Sequence, residues 1–545
     1  MASDEEDPFD VFGDDDDSDS DDGQPMTSHE SMQVAKSLVQ ATNDKMLLPK
    51  NNTGEVKSSP MHLSPERSNQ DSQLEDLSYL KAWENKWPDP MYKGDILLVS
   101  PLPVGGGRGY VATKPIPPGT LVLVESPLMS WPEEQLGKKL GMVSVKHLIE
   151  HPNAPQLVHD LEDFYPTKEQ VDRWNRNGDD AGENGSEEYE QIPKMIQFLQ
   201  TETTSSREEG ESEEQNQQAD GHSVHDLVQL AQKEGVRSRD GSGLTDIDII
   251  RLLLALRYNG LESGVYRHVA MLNHDDYPNC AKFLPTDGKS FSEVRTTRHV
   301  QPGESLTISY LPRIVSHASR RKVLWEQHRF DIGVNHLTGA RYKMELVGKG
   351  LPPSPVQGVV DETLTDRIEK ATEELEKMQA EIEAALQLSA SASPETFETV
   401  KALEQTALEL YKESGEQLQN LNHILLIPIL SLHMDICALV LKDTSLTNSV
   451  QIGVISRQIL SAYHLLPLQK SLLGDDHFDI ARTSLDLADS ISQLLSRSTK
   501  ALQALKLPSM TTFSAWSTYE NVNRKEHNRI KALYPHDVEK HLKKV

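Results

Sequence analysis

The order of hydrophobic and polar positions divides the chain into stretches of different period. From Ile96 to Trp131, short Val/Ile/Leu runs are broken by Gly and Pro, the text of short β-strands joined by turns. Two later stretches carry the same signal. In GVYRHVAMLNHDDYPN (Gly264–Asn279), Val269 and Met271 alternate ahead of Asn273 and His274, and Pro278 biases Tyr277 towards an extended conformation, so a turn should follow. In RHVQPGESLTISY (Arg298–Tyr310), Pro302-Gly303 marks a turn, and Leu306, Ile308 and Tyr310 share one face of a short strand.

The rest reads as helix or as polar chain. Tyr79, Trp83 and Trp87 lie in a short aromatic segment expected to be a helix leading into the fold. Residues 139–245 interrupt the β-text: a charged helical part with Val145, Leu148, Leu157, Val158 and Leu161, an acidic run over 178–222 expected to be disordered, and helices around His225–Glu234 and Leu244–Leu256. Ser319–Arg329 reads as a basic helix. Beyond a Pro/Gly-rich linker at 346–360, Leu364, Ile368, Ala371, Leu375, Met378 and Ile382 recur at spacings of four and three, a long amphipathic helix. Further helices are expected near 396–418, 420–442, 448–467 and 478–500, lengths that suit antiparallel pairs stacked as a short superhelix.

The expectation is an α+β chain. An acidic disordered tail (1–76) precedes a β-rich domain (77–345) with a helical and disordered insert (139–245), then the linker (346–360), an all-α domain (361–510) and a C-terminal tail (511–545).

Composition narrows the partners. A formal net charge of −29 argues against direct binding to nucleic acid or anionic membrane and suits a basic protein substrate, although solvated tails produce the same number. The two cysteines, Cys280 and Cys437, form no disulfide framework or Cys-rich metal site, and no metal is expected. The first residues are acidic rather than signal-like, and the apolar run Ile424–Leu441 contains Pro428, His433 and Asp435 and reads as a buried helix. The expected location is intracellular, in the nucleus, the cytoplasm or both. The glycine cluster Gly105, Gly106, Gly107 and Gly109 lets the backbone approach a ligand closely, but no GxGxxG spacing or helix start follows it.

Three segments in order carry a family resemblance. GRGYVATKPIPPGTLVLVESPL resembles the N-terminal strands of a SET domain. Asn273-His274-Asp275-Asp276-Tyr277-Pro278-Asn279 resembles that family's NHSCxPN motif, and PGESLTISY its GEELTISY strand. With a large insert, a helical C-terminal part and LLGDDHFDIARTSLDLADSIS (Leu472–Ser492), the chain is similar to the SET-and-MYND branch of protein lysine methyltransferases, whose C-terminal region is tetratricopeptide-like.

The resemblance implies S-adenosylmethionine as methyl donor and a lysine-bearing, basic peptide as acceptor. It implies Tyr310 as the catalytic tyrosine and Arg108, Gly109, Asn259, Asn273, His274 and Phe330 as cofactor contacts, Gly109 leaving room for the methionine portion. The departures are Asp276 in place of the motif's cysteine, the missing cysteines beyond the final helix and the missing MYND insert, which together remove the family's metal ligands. A replacement site from Asp276, His328 and His336 is weaker than the reading of three surface residues on loops. His328 also stands where the family often has an aromatic, two residues before Phe330. Two functions stay open: a zinc-independent lysine methyltransferase, or a catalytically inactive scaffold that binds protein partners through its C-terminal helices.

Overall fold

The structure is a computed structural model; it describes residues 77, 80–84, 87–102, 107–131, 141–168, 170–171, 223–261, 263–283, 291–311, 314–328, 362–388, 394–418, 423–505, 507, 510 and 512–535. The chain divides into two compact units, one holding Leu77–Leu311 and Arg320–Val334, the other Pro312–Ser319 and Asn335–Pro535. The expected tail over 1–76, the acidic run at 178–222, the linker and Phe330 lie outside the described residues.

The first unit is built from strands of two to five residues. These are β1 (Tyr92–Lys93), β2 (Ile96–Val99), β3 (Gly109–Ala112), β4 (Leu121–Glu125), β5 (Met129–Ser130), β6 (Gly260–Leu261), β7 (Gly264–Val265), β8 (Asn273–His274), β9 (Cys280–Phe283), β10 (Ser292–Thr296) and β11 (Thr307–Ile308). They form four small sheets: β1-β4-β10-β9, β2-β3, β5-β7-β6 and the parallel pair β8-β11. Gly264, at φ +153°, brings β7 so close to β5 that a Cβ there would lie 2.3 Å from the Met129 carbonyl oxygen.

Against the sheets lie α1 (Met142–Ile149), α2 (Ala154–Leu161), α3 (Val224–Lys233) and α4 (Asp246–Asn259). Val145, Leu148, Leu157, Val158 and Leu161 are the buried residues the apolar pattern singled out. A capping box of Thr245 and Asp248 starts α4, whose Ile249, Ile250 and Leu252–Leu256 are all buried, so it is covered on every side by α1–α3 and the sheets. Nothing breaks this helix before Gly260, and it therefore runs through Asn259 instead of ending at Leu256.

The segment around Trp83 is extended where described, not helical. Ala82 bridges Val99, and the Trp83 N–H donates to the Leu98 carbonyl at 2.9 Å. Pro88 and Pro90 oppose a helix here, while Trp87 gains burial by stacking on Phe164 at 5.2 Å.

In the second unit α6 (Glu362–Leu388), α7 (Pro394–Leu418), α8 (Leu426–Val440), α9 (Asn448–Leu473) and α10 (Phe478–Arg497) each pack on the next, followed by α11 (Thr499–Ala504) and α12 (Phe513–Lys531). The first unit's strands and this all-helical region make the chain α+β. Pro467 lies inside α9 without ending it. The flanking Leu465, Leu466 and Leu468 are buried, and the helix stops at Gly474, φ +86°. The expected tail over 511–545 is corrected by α12, whose Trp516 and Ile530 are fully buried. Among the described residues no helix is long and apolar enough to cross a membrane.

The second unit also holds a group of donor atoms close enough for a metal ion, Glu404, His433 and Cys437. Arg457 instead grips both carboxylate oxygens of Glu404 at 2.6 and 2.9 Å, and His433 Nε2–H donates to the same carboxylate at 3.1 Å. Burial raises the Cys437 thiol well above its ordinary value and keeps it protonated. The cluster is hydrogen-bonded as it stands, and a dication would have to displace the guanidinium.

Candidate active site

The two motif stretches meet where β8 and β11 lie parallel, Asn273 beside Thr307 and His274 beside Ile308. Two-residue strands cannot hold themselves, and the join is made by side chains. Asn279, 1% exposed, donates to the Ser305 carbonyl at 2.8 Å and to Glu304 at 3.1 Å, while its Oδ1 accepts the Thr307 N–H at 2.9 Å. Asp275 Oδ1 accepts the Tyr277 N–H at 2.8 Å, forming the turn that the Tyr-Pro step implied. On the other side, residues 303–306 are stitched to β3: Gly303 N–H to the Ala112 carbonyl and Leu306 N–H to that of Tyr110, each at 2.8 Å.

Upstream of this join the chain hangs on one carboxylate. Glu125, at the end of β4, accepts the N–H groups of Arg267, His268 and Val269 at 3.0, 2.8 and 3.0 Å. Burial raises this carboxyl to about 7 against the lowering pull of those three donors. His268 next to it meets the Tyr110 hydroxyl at 2.7 Å through Nδ1 and donates from Nε2 to the Pro88 carbonyl at 2.9 Å.

Tyr310 is held from three sides. Its hydroxyl donates to the Leu272 carbonyl at 2.8 Å, its backbone N–H to His274 Nδ1 at 3.1 Å, and its ring lies 4.5 Å, centroid to centroid, from the His328 imidazole. Burial pushes the phenol well above its ordinary pKa, so it is a neutral O–H group. His328, at the end of α5 (His317–His328), donates from Nδ1 to the Tyr258 carbonyl at 3.1 Å. Burial lowers its pKa to about 4 despite that hydrogen bond, which leaves the ring uncharged at neutral pH.

Four of the other expected residues are linked by hydrogen bonds or close packing. Asn273 Nδ2 donates to the Arg108 carbonyl at 2.9 Å. Gly109 faces that amide so closely that a Cβ would lie 2.9 Å from Asn273 Nδ2 and 2.9 Å from Leu102. The missing side chain thus makes room for the asparagine itself. Arg108 Nη1 donates to the Asp163 carbonyl, with its guanidinium over the Trp83 ring at 4.6 Å. Asn259 Nδ2 donates to the Tyr165 carbonyl at 2.6 Å and to that of Ala255 at 2.8 Å. The turn Asp163–Tyr165, which follows α2, therefore touches both Arg108 and Asn259. Sequence reasoning gave it no role. Its contacts to these two residues are carbonyl oxygens, which any residue supplies; its side chains face elsewhere, Asp163 to Arg239, Phe164 to Trp87 and Tyr165 to the ring of Tyr258 at 5.7 Å.

Asp276 and His328 are not surface residues on loops. Asp276 lies in the motif turn with its Oδ1 3.4 Å from Nε of the buried Arg320 and 3.3 Å from His274 Nε2, and both acid and imidazole are mostly covered. His328 packs on Tyr310 instead, and His336 lies outside the described residues.

Comparison with known proteins agrees with this geometry. Residues 107–311 match the family model described as SET domain. The Mus musculus histone-lysine N-methyltransferase Smyd1 is 29% identical over 128 residues, 20% of this chain and 26% of that protein. The Mus musculus and Homo sapiens histone-lysine N-methyltransferases SMYD3 are each 35% identical over 68 residues, 12% of this chain and 15% of the relative. The matched stretches thus span about a quarter of the first relative's length and less of the others. Residues 107–311 form a SET domain, and the chain resembles the SET-and-MYND branch of protein lysine methyltransferases.

Proposed function

We propose that the first unit transfers a methyl group from S-adenosylmethionine to a lysine ε-amine of a protein, with histones the first substrates to test because the relatives are named for them. The observation that carries this reading is Tyr310, a neutral phenol whose hydrogen is committed to the Leu272 carbonyl. With the hydrogen directed there, the phenol oxygen would meet an incoming amine as an acceptor.

The residues present suit the cofactor. Asn273 and Asn259 spend their N–H groups on backbone carbonyls, which leaves each amide oxygen as an acceptor for a ligand ammonium. Arg108, Gly109 and His274 stand beside them. When bound, S-adenosylmethionine supplies an electrophilic sulfonium methyl. The chain's own work is to hold the acceptor amine in line and to receive it uncharged. The uncharged His328 ring against Tyr310 adds no positive charge where a lysine must lose its proton.

The competing reading is a scaffold that binds partners through its helical unit. Two measurements decide. Calorimetric titration of S-adenosylmethionine should give binding that Asn273→Ala abolishes. Labelled methyl transfer to histones and to cell extract should fall by roughly a hundredfold or more in Tyr310→Phe while cofactor binding persists. Equal transfer rates in that variant would sink the assignment. A well-folded chain that neither binds the cofactor nor transfers methyl groups would leave the scaffold.

A further inference from the structure

Tyr310 is fixed through its main chain as well as its phenol, and the main-chain half ends on a pair of charges. An imidazole nitrogen that accepts a hydrogen bond carries no hydrogen itself. His274 Nδ1 accepts the Tyr310 N–H, so the ring hydrogen sits on Nε2. Nε2 faces Asp276 Oδ1 at 3.3 Å, a carboxylate oxygen that can only accept. The same oxygen lies 3.4 Å from Arg320 Nε, on a side chain 3% exposed. Guanidinium and carboxylate thus meet as an ion pair, and carboxylate, imidazole and peptide N–H follow one another by hydrogen bonds.

The rest of β11 does not depend on this series. Thr307 is held by Asn279, and the Ile308 carbonyl accepts the Asp275 N–H at 3.1 Å. Two residues further on, the N–H of Tyr310 passes to the imidazole. Loosening at Asp276 should therefore be felt at Tyr310 and spare Thr307.

We infer that the Asp276–Arg320 ion pair is a positioning device for Tyr310, acting through the ring of His274. Arg320 sits on α5, and the pair also ties this residue of the helix to the motif turn. For its effect on turnover this rests on the methyl-transfer reading above; for its effect on the rigidity of residues 309–311 it does not.

The test is amide hydrogen exchange on the full chain, read by mass spectrometry at Thr307 and Tyr310, with methyl transfer measured in parallel. Asp276→Ala and Arg320→Ala should speed exchange at Tyr310 by about tenfold or more and change it at Thr307 by less than about threefold. In transfer assays the same variants should lower kcat by about tenfold while KM for the peptide moves by less than about threefold, and Arg320→Lys should recover most of both. Asp276→Asn keeps the size of the side chain and an acceptor for Nε2 but removes the charge, so it guards against an alanine variant that fails to fold. It should show exchange between wild type and Asp276→Ala.

Unchanged Tyr310 exchange in folded alanine variants overturns the inference. Equal acceleration at Thr307 also overturns it, because the effect would then be general loosening. Wild-type behaviour of Asp276→Asn would assign the task to the hydrogen bond alone and remove the ion pair from it. Tyr310→Phe separates the two readings: it should retain slow exchange at its own amide, and undiminished transfer in that variant would defeat the proposed function while leaving the exchange result to decide the clamp.

Discussion

Glu125 in the β-rich unit and Glu404 in the helical unit are each 4% exposed, yet they are held in opposite ways. Glu125 takes three backbone N–H groups, and burial raises its carboxyl to about 7. At Glu404 burial pushes upward too, but the hydrogen bond from His433 and the charge of Arg457 outweigh it and hold the group down to about 2. The contrast extends beyond these two acids. Asn279, Asn259, Asn273, Arg108 and His274 all serve the backbone, because strands of two residues leave peptide groups for side chains to satisfy. Helices satisfy their own peptides, so in the helical unit buried polar side chains meet one another: Glu404 with Arg457, His433 with Ser461, Gln458 with Ser490.

The comparison is broken most directly at Arg457. Arg457→Ala leaves a buried carboxylate without its guanidinium and should cost the helical unit about 3–5 kcal/mol, seen as a lower urea midpoint. A loss under about 1 kcal/mol would mean that the hydrogen bond from His433 is enough to hold Glu404. No single partner can be deleted at Glu125, since its donors are peptides. Only Glu125 itself can be changed. Glu125→Ala frees three N–H groups but also relieves a carboxylate of burial, and a net loss of about 2–3 kcal/mol is expected; on the proposed methyl-transfer reading S-adenosylmethionine affinity should fall too, because residues 267–269 lead into Asn273.

Acid and base sharpen the same contrast. The folded pKa of Glu404 is depressed from its ordinary 4.5, so its contribution to stability is present above that value and is lost as pH falls towards 2. The folded pKa of Glu125 is raised, so its contribution is present below about 4.5 and is lost as pH rises through 7. Stability against pH should therefore lose part of its acid limb in Glu404→Gln and flatten between 4.5 and 7 in Glu125→Gln, measured as urea midpoints across the range. Identical profiles for the two variants would erase the distinction.

What was legible in the sequence follows the same division. The helices at 394–418 and 478–497 stand out because their apolar period is local and long. The last helix escaped notice. Trp516, Asn523 and Ile530, the residues it buries, lie seven apart, one of them is polar, and Phe513 and Val522 are exposed. In the β-rich unit, Asn273, His274 and Tyr310 were legible as motif text, and the parallel pairing of β8 and β11 brings them together. Arg320 read as one more basic residue on a helix face, since nothing local marks an arginine that turns inward to an acid 44 positions earlier. Fastening by backbone atoms is the least legible of all, for a carbonyl leaves no mark on the sequence.

That last point can itself be tested, at the smallest expected effect. Arg108 is held by the Asp163 carbonyl and by the face of Trp83. If the backbone contact governs, removing the ring should matter little: Trp83→Ala forfeits a cation–π contact worth about 0.5–1 kcal/mol, and, on the proposed reading that Arg108 lines a cofactor site, S-adenosylmethionine affinity should fall only about two- to fivefold. The carbonyl cannot be deleted, but its turn can be moved. Tyr165 packs on Tyr258 and its own carbonyl anchors Asn259, so Tyr165→Gly frees the backbone of the whole Asp163–Tyr165 turn. It should weaken cofactor binding more than Trp83→Ala does. The reverse order in calorimetric titration would mean that the aromatic ring, and not the peptide, sets Arg108, and the first unit would then share the side-chain logic of the second.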